Sequence, residues 1–256
     1  MNTWRFSHSS REGTSHRAIG TPCQDSHLVS VVSDLQGRDV LIAVVSDGAG
    51  SAAHSDVGSR IICDVIHDQV VRFLSGVEEI STTQRVDINE WLLKAIEALE
   101  SHATQESWAV RDLAGTCLIC IAGCNHTVCV QVGDGAIVLN DGDGFVPALW
   151  PQRGEYANTT TFLYERSALA DAQLIVLPRS DRVAVFSDGI QMVALDYTTQ
   201  AAPATFWAPL FGFLEQQPSG SSDQLNLALA AWLDRKPILD RTDDDRTLVL
   251  ASRRGS

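Results

Sequence analysis

Several aspartates stand where a short apolar run gives way to a turn. Val40–Val45 runs into Ser46-Asp47-Gly48-Ala49-Gly50, and Val183–Phe186 into Ser187-Asp188-Gly189. Thr127–Val132 ends in Gly133-Asp134-Gly135, and Asp243-Asp244-Asp245 directly precedes the last apolar run, Thr247–Ala251. A carboxylate at a strand end is rigidly placed yet can still meet solvent. An adjacent glycine lets the backbone approach a bound ion and frees its carbonyl oxygen as a ligand. Several such carboxylates at one end of a sheet form an oxygen-rich cage suited to hard cations such as Mg²⁺ or Mn²⁺. Crowding them together without a cation costs several kcal/mol in repulsion and desolvation. A lone Asp-Gly after a strand reads as a turn. The doubled Ser-Asp-Gly and the aspartate triplet before a third strand tip the reading toward a metal site.

Positioning these residues requires strands, and seven runs have strand character: His27–Asp34, Val40–Val45, Thr116–Ala122, Thr127–Val132, Leu174–Leu177, Val183–Phe186 and Leu248–Ala251. They are rich in Val and Ile and bounded by Gly, Asp, Asn or Pro. Between them, Ser55–Leu74 carries Val57, Ile61, Val65, Ile66, Val70 and Phe73 near one helical stripe. A second helix is expected to start at Asp87, capped by its carboxylate with Glu90 completing a capping box. It then runs through Trp91, Leu92, Ala95, Ile96 and Leu99, and Ser222–Asp234 reads as a third helix. Strands and helices do not alternate strictly, so a doubly wound parallel sheet is disfavoured and an α+β layered domain is expected. Asn140–Ala172 lacks periodicity and reads as a long excursion from a single domain spanning residues 1–256.

Composition narrows the function classes. Nineteen Lys and Arg against 32 Asp and Glu give a formal charge of −13, which argues against a nucleic-acid surface. No run approaches the ~18–20 apolar residues of a membrane helix, and Met1–Arg11 lacks an apolar signal core. The expectation is therefore a cytoplasmic protein that engages no membrane, with six reduced cysteines. Cys117, Cys120, Cys124 and Cys129 contain one Cys-x-x-Cys but no second pair at zinc-site spacing. Cys117 and Cys120 would point to opposite faces of one strand, so they read as structural thiols.

In this order the motifs resemble those of the metal-dependent Ser/Thr protein phosphatases, the protein phosphatase 2C or PPM family. The resemblance covers nearly the whole chain: Pro22-Cys23-Gln24-Asp25, Val45-Ser46-Asp47-Gly48-Ala49-Gly50, Ala114-Gly115-Thr116, Val132-Gly133-Asp134, Phe186-Ser187-Asp188-Gly189 and Asp244-Asp245-Arg246-Thr247. Gly13-Thr14-Ser15-His16 and Gly154-Glu155-Tyr156-Ala157-Asn158 resemble a bacterial branch. The resemblance implies a four-layer αββα sandwich with a binuclear Mg²⁺/Mn²⁺ centre at one end of two antiparallel sheets. By position, Asp47 would bridge both ions, Gly48 would offer its carbonyl to one, and Asp188 and Asp244 would complete the shell of the other. Asp25 would act at the edge of the site through water. The implied reaction is hydrolysis of phosphoserine or phosphothreonine in proteins, a cognate Ser/Thr kinase among them. Water activated between two cations attacks in line, with no side-chain nucleophile.

Three departures accompany the resemblance. Ala49 stands where many members carry a histidine thought to protonate the leaving alkoxide; His16 and His54 are the nearest alternatives, each reading more readily as a surface or hydrogen-bonding histidine than as the acid. The phosphate-binding arginine common before the early aspartate is missing from Ile19–Cys23; Arg17, or His16 beside it, is the best substitute, and Arg17 reads equally well as a solvated basic residue. Met192 replaces an aspartate that supports a third metal in many relatives, although Asp134 and Asp188 remain for a weakly held third ion. Trp150–Leu163 falls where the family carries a flap beside the cleft. The competing reading is a catalytically silent relative that binds phosphoproteins or a kinase. A hydrolase of small phosphate esters finds no P-loop or Rossmann pattern to support it.

Overall fold

The computed structural model describes residues 4–142, 144–152 and 160–254. Strand β1 (Arg5–Arg11) is followed by α1 (Thr14–Ile19), β2 (Ser26–Ser33) and β3 (Asp39–Ser46). The long helices α2 (Ser55–Leu74) and α3 (Arg85–Glu106) lead through a 3₁₀ turn at Val110–Leu113 into four strands. These are β4 (Cys117–Ala122), β5 (His126–Val132), β6 (Ala136–Asp141) and β7 (Gly144–Leu149). Next come α4 (Ala168–Asp171), β8 (Gln173–Pro178) and β9 (Arg182–Phe186). A 3₁₀ turn at Asp188–Ile190 opens into α5 (Gln191–Ala194), α6 (Ala204–Glu215), α7 (Asp223–Leu233), α8 (Lys236–Leu239) and β10 (Arg246–Ser252).

The strands form two five-stranded antiparallel sheets, ordered β1-β10-β9-β6-β7 and β2-β3-β4-β5-β8. Strand alternation sorts the core into layers. Val40, Ile42 and Val44 of β3 pack with Ile62 and Ile66 of α2 and Leu92 and Ile96 of α3. The intervening Leu41, Ala43 and Val45 instead meet Val183 and Val185 of β9 and Val249 of β10 between the sheets. On the far side, Phe186, Leu248 and Leu250 pack against Trp207 and Phe211 of α6 and Leu225 and Leu229 of α7. The result is the expected αββα sandwich. Each buried Ile, Leu or Phe contributes about 1.5–3 kcal/mol, so three continuous apolar clusters fix the relative height of the two sheets. Cys117 lies in the helix-side cluster and Cys120 between the sheets, and all six thiols are free. Among the described residues, no helix is long and apolar enough to cross a membrane.

Four elements depart from the sequence reading. Strand β1 has no apolar alternation because its inward residues are Ser7 and Ser9; the Ser7 hydroxyl donates to the Leu225 carbonyl at 3.2 Å. The first part of the stretch read as an excursion is a β6–β7 hairpin, with β7 an edge strand that tolerates Pro147 and buries Phe145. Helix α6, not singled out from the sequence, carries Pro209 in its interior. Helix α3 begins earlier than Asp87: Gln84 is its cap residue, and Asp87 accepts back from the Gln84 N–H at 2.7 Å. Gly154–Asn158 of the flap-like segment lies outside the described residues.

Candidate metal centre

Hydroxyls from remote parts of the chain hold Asp47, Asp134 and Asp25. The Ser46 hydroxyl donates to the Thr116 carbonyl at 2.7 Å, while the Asp47 N–H donates to Thr116 Oγ1 at 2.9 Å and the Thr116 N–H to the Asp47 carbonyl at 2.8 Å. The start of β4 thus clamps the end of β3. In the second Ser-Asp-Gly, the Ser187 hydroxyl donates to Asp25 Oδ2 at 2.7 Å and accepts from the Thr247 N–H at 2.9 Å. That one side chain joins β9, β10 and the segment before β2. Gly48 is required by close approach: a Cβ there would lie 2.6 Å from the Gln24 carbonyl oxygen and 2.8 Å from Ser55 Cβ. At the end of β5, the buried Gln131 amide donates to the carbonyls of Gly133 and Gly135 and so fixes the turn that carries Asp134. Thr160 donates to Asp134 Oδ2 at 2.5 Å, and the Gln191 amide, itself bonded by the Tyr197 hydroxyl, donates to the Asp134 carbonyl.

These clamps bring the carboxylates together. One oxygen from each of Asp47, Asp134 and Asp188 falls within 4.8 Å of the others. A cavity of about 100 Å³ is lined by these three with Gly48, Ala49, Asp244 and Phe162. Asp25, 6% exposed, stands behind the cavity. Its Oδ1 and that of Asp188 are buried without a hydrogen-bond partner among the described residues.

Burial is the main force on their protonation, and neighbouring charges add to it. It pushes the Asp25 carboxyl up to about 7, with Asp245 and Asp188 opposing ionisation and the Ser187 hydroxyl favouring it. Asp188 is raised to about 6 by burial and then by the charge of Asp134. Burial, followed by Asp25 and Asp188, holds Asp47 well above the usual carboxylate range, and Asp134 is raised by burial as well. None of the described residues lining the cavity is a Lys or Arg. An all-oxygen donor set, two orphaned buried oxygens and a lining without Lys or Arg fit divalent cations such as Mg²⁺ or Mn²⁺.

The other sequence-derived candidates are placed less centrally. His16 Nδ1 sits 2.9 Å from Asp245 Oδ1, and Nε2 is 4.0 Å from Asp244 Oδ1, at the rim rather than in the cavity lining. Arg17 is mostly exposed, pairs with Glu12 at 3.1 Å and does not line the cavity. His54 stacks on Trp108 at a centroid distance of 3.5 Å and is likewise outside the lining. Met192 is exposed. Of the aspartate triplet, Asp244 lines the cavity, whereas Asp245 is buried and turned to backbone N–H groups. The sequence reading missed Gln131 and Thr160 altogether, and quoted Thr116 and Ser187 within motifs without their clamping role. The repeated serine before Asp-Gly was their one local signal.

The protein phosphatase 2C family model matches residues 12–234. The chain is 31% identical over 255 residues to serine/threonine-protein phosphatase 3 of Escherichia coli, covering 97% of this chain and 98% of that protein. Among solved structures, a bacterial serine phosphatase superposes with a TM-score of 0.63 at 13% identity, covering 98% of each chain. Stp1 from Staphylococcus aureus gives 0.62 at 14% identity, covering all of this chain and 96% of the other. PppA of Pseudomonas aeruginosa gives 0.61 at 16%, covering 97% of each. At these identities the structures speak for the fold, while the extent of the family match and the 31% identity carry the assignment: this chain belongs to the protein phosphatase 2C family of serine/threonine phosphatases.

Proposed function

We propose that the protein hydrolyses phosphoserine and phosphothreonine in phosphoproteins, with a cognate Ser/Thr kinase among its targets, using two Mg²⁺ or Mn²⁺ ions. Asp47 would bridge the pair, with the Gly48 carbonyl on one ion, Asp188 and Asp244 on the other, and Asp25 at the edge. Asp134 with Asp188 would hold a weaker third ion. The observation that carries this reading is the convergence of Asp47, Asp134 and Asp188 within 4.8 Å in a cavity without a cationic side chain. When bound, such ions withdraw charge from the phosphoryl oxygens and activate water near neutral pH.

The chain's own groups do the positioning. Thr116 fixes the backbone of Asp47, and Ser187 orients Asp25. His16, whose Nδ1 lies 2.9 Å from Asp245 Oδ1, would return a proton from Nε2 to the leaving alkoxide. Arg17 would have to leave Glu12 to grip a phosphate, so the cations carry most of that task. The chain is assigned as a single domain with a flap-like excursion, of whose described residues Thr160 and Phe162 border the cavity. A silent binding module would have no need to keep a strained carboxylate cluster, which favours the enzyme.

The test is hydrolysis of a phosphothreonine peptide. Activity is expected with Mn²⁺, none with EDTA, and at least about 100-fold less in Asp47→Asn or Asp188→Asn. Activity that survives chelation would overturn the metal mechanism. A folded but inactive wild-type protein would favour the binding module.

A further inference from the structure

Asp245 is a buried carboxylate near the centre that does not line the cavity, and both of its oxygens are taken up by backbone groups. It is 2% exposed, and both oxygens accept backbone N–H groups from distant segments: Oδ1 from Gly13 at 2.6 Å and Oδ2 from Gln24 at 2.5 Å. His16 Nδ1 lies 2.9 Å from the same Oδ1. The backbone of Asp245 is packed just as closely on the other side, since a Cβ on Gly189 would meet its carbonyl oxygen at 1.8 Å.

Gln24 is the hinge of this arrangement. Its N–H is held by Asp245, its carbonyl accepts the Ser59 hydroxyl at 2.6 Å, and that same carbonyl oxygen abuts Gly48. Asp25 is the next residue. Asp245, directly before β10, thereby sets through its side chain the spacing between the Asp25 segment, the Asp47-Gly48 loop and the residues leading into the helix that bears His16. Its backbone packs on the Asp188-Gly189 turn.

We infer that Asp245 is a positioning residue: its carboxylate clamps Gly13 and Gln24 and thereby holds Asp25 and the Gly48 loop in metal-binding geometry. This rests on the two-metal reading above, but it can be read from metal affinity alone. The chemistry of the clamp is specific. Two N–H donors need two acceptor oxygens, and an amide in the same place offers one oxygen and turns an N–H₂ toward the other donor. Groups behind a metal shell typically change affinity or activity by 10–100-fold when removed.

The experiment compares wild type with Asp245→Asn, titrating Mn²⁺ by calorimetry and, separately, measuring kcat and KM on a phosphothreonine peptide. The expected result is Mn²⁺ affinity weaker by about 10–100-fold, with kcat lowered, peptide KM nearly unchanged, and the melting temperature in EDTA within a few degrees of wild type. Unchanged Mn²⁺ affinity in the folded variant would overturn the inference. So would a loss of activity that only tracks the unfolded fraction. If Asp245→Asn fails to fold, Ser59→Ala probes the same hinge from the other side of Gln24. A severalfold loss of Mn²⁺ affinity is then expected, and wild-type affinity would count against the clamp. Wild-type protein that binds Mn²⁺ but cleaves no phosphopeptide would sink the phosphatase reading while leaving the clamp open to the same affinity comparison.

Discussion

At the scale of single residues, the centre trades stability for function. The carboxylates of Asp47 and Asp188 are half-buried side by side, and desolvation raises both above their ordinary range. Asp47→Asn removes one of these mutually repelling groups. In EDTA at pH 8 it should raise the melting temperature by a few degrees while abolishing phosphopeptide turnover, a stability gain at a strained site of the familiar kind. A melting temperature below wild type under those conditions would show that the cluster is not repulsive. His16 gives a second residue-scale expectation. His16→Ala should slow phosphopeptide hydrolysis about 100-fold but barely affect an aryl phosphate whose leaving group needs no proton. Equal losses on both substrates would assign His16 to structure instead. Asp47, Asp134 and Asp188 were legible because each sits beside a glycine at the end of an apolar run. The hydroxyl clamps on Asp47 and Asp25 were not, because their partners are remote in sequence: Thr116 serves Asp47 across 69 positions and Ser187 serves Asp25 across 162. Local spacing carries no trace of such pairings.

At the scale of elements, legibility followed burial only in part: edge strands β2 and β8 were read, whereas the buried interior strand β6 was not. Strands β3, β4, β5, β9 and β10 are apolar on both faces because each lies between the helical layer and the other sheet. They were readable as continuous Val/Ile runs. The edge strands β1 and β7 are different. One faces the core with serines, and the other is largely exposed apart from Phe145, so no period-2 pattern marks them. The start of α3 was misplaced for a related reason. A Gln-x-x-Asp pair does the job usually done by Ser or Thr with Glu, and Asp87 occupies the third helical position rather than the cap. Asp87→Ala should therefore cost about 0.5–2 kcal/mol in chemical denaturation, with activity per folded molecule unchanged because α3 packs on the face of the β2–β3 sheet away from the other sheet. No loss of stability would mean that the cap is dispensable.

At the scale of the whole molecule, a chain of formal charge −13 concentrates carboxylates at one end of its sandwich. The pH dependence of the metal-free protein follows from the sign of the shifts. Unfolded aspartates ionise near pH ~4, whereas folded Asp188 and Asp25 hold their protons to about 6 and about 7. Between those limits the native state binds more protons than the unfolded one, so stability falls as pH rises. Thermal unfolding in EDTA from pH 5 to 8 should show this decline, and excess Mn²⁺ should remove it; a rise with pH in EDTA would contradict the placement of these groups. The central claim, that the aspartate cluster is a binuclear metal site, is tested most directly by calorimetric titration of metal-stripped protein with Mn²⁺. Wild type should bind about two ions per chain with proton release, and Asp47→Asn should lose both. Undiminished binding by Asp47→Asn, or no binding by folded wild-type protein, would contradict it.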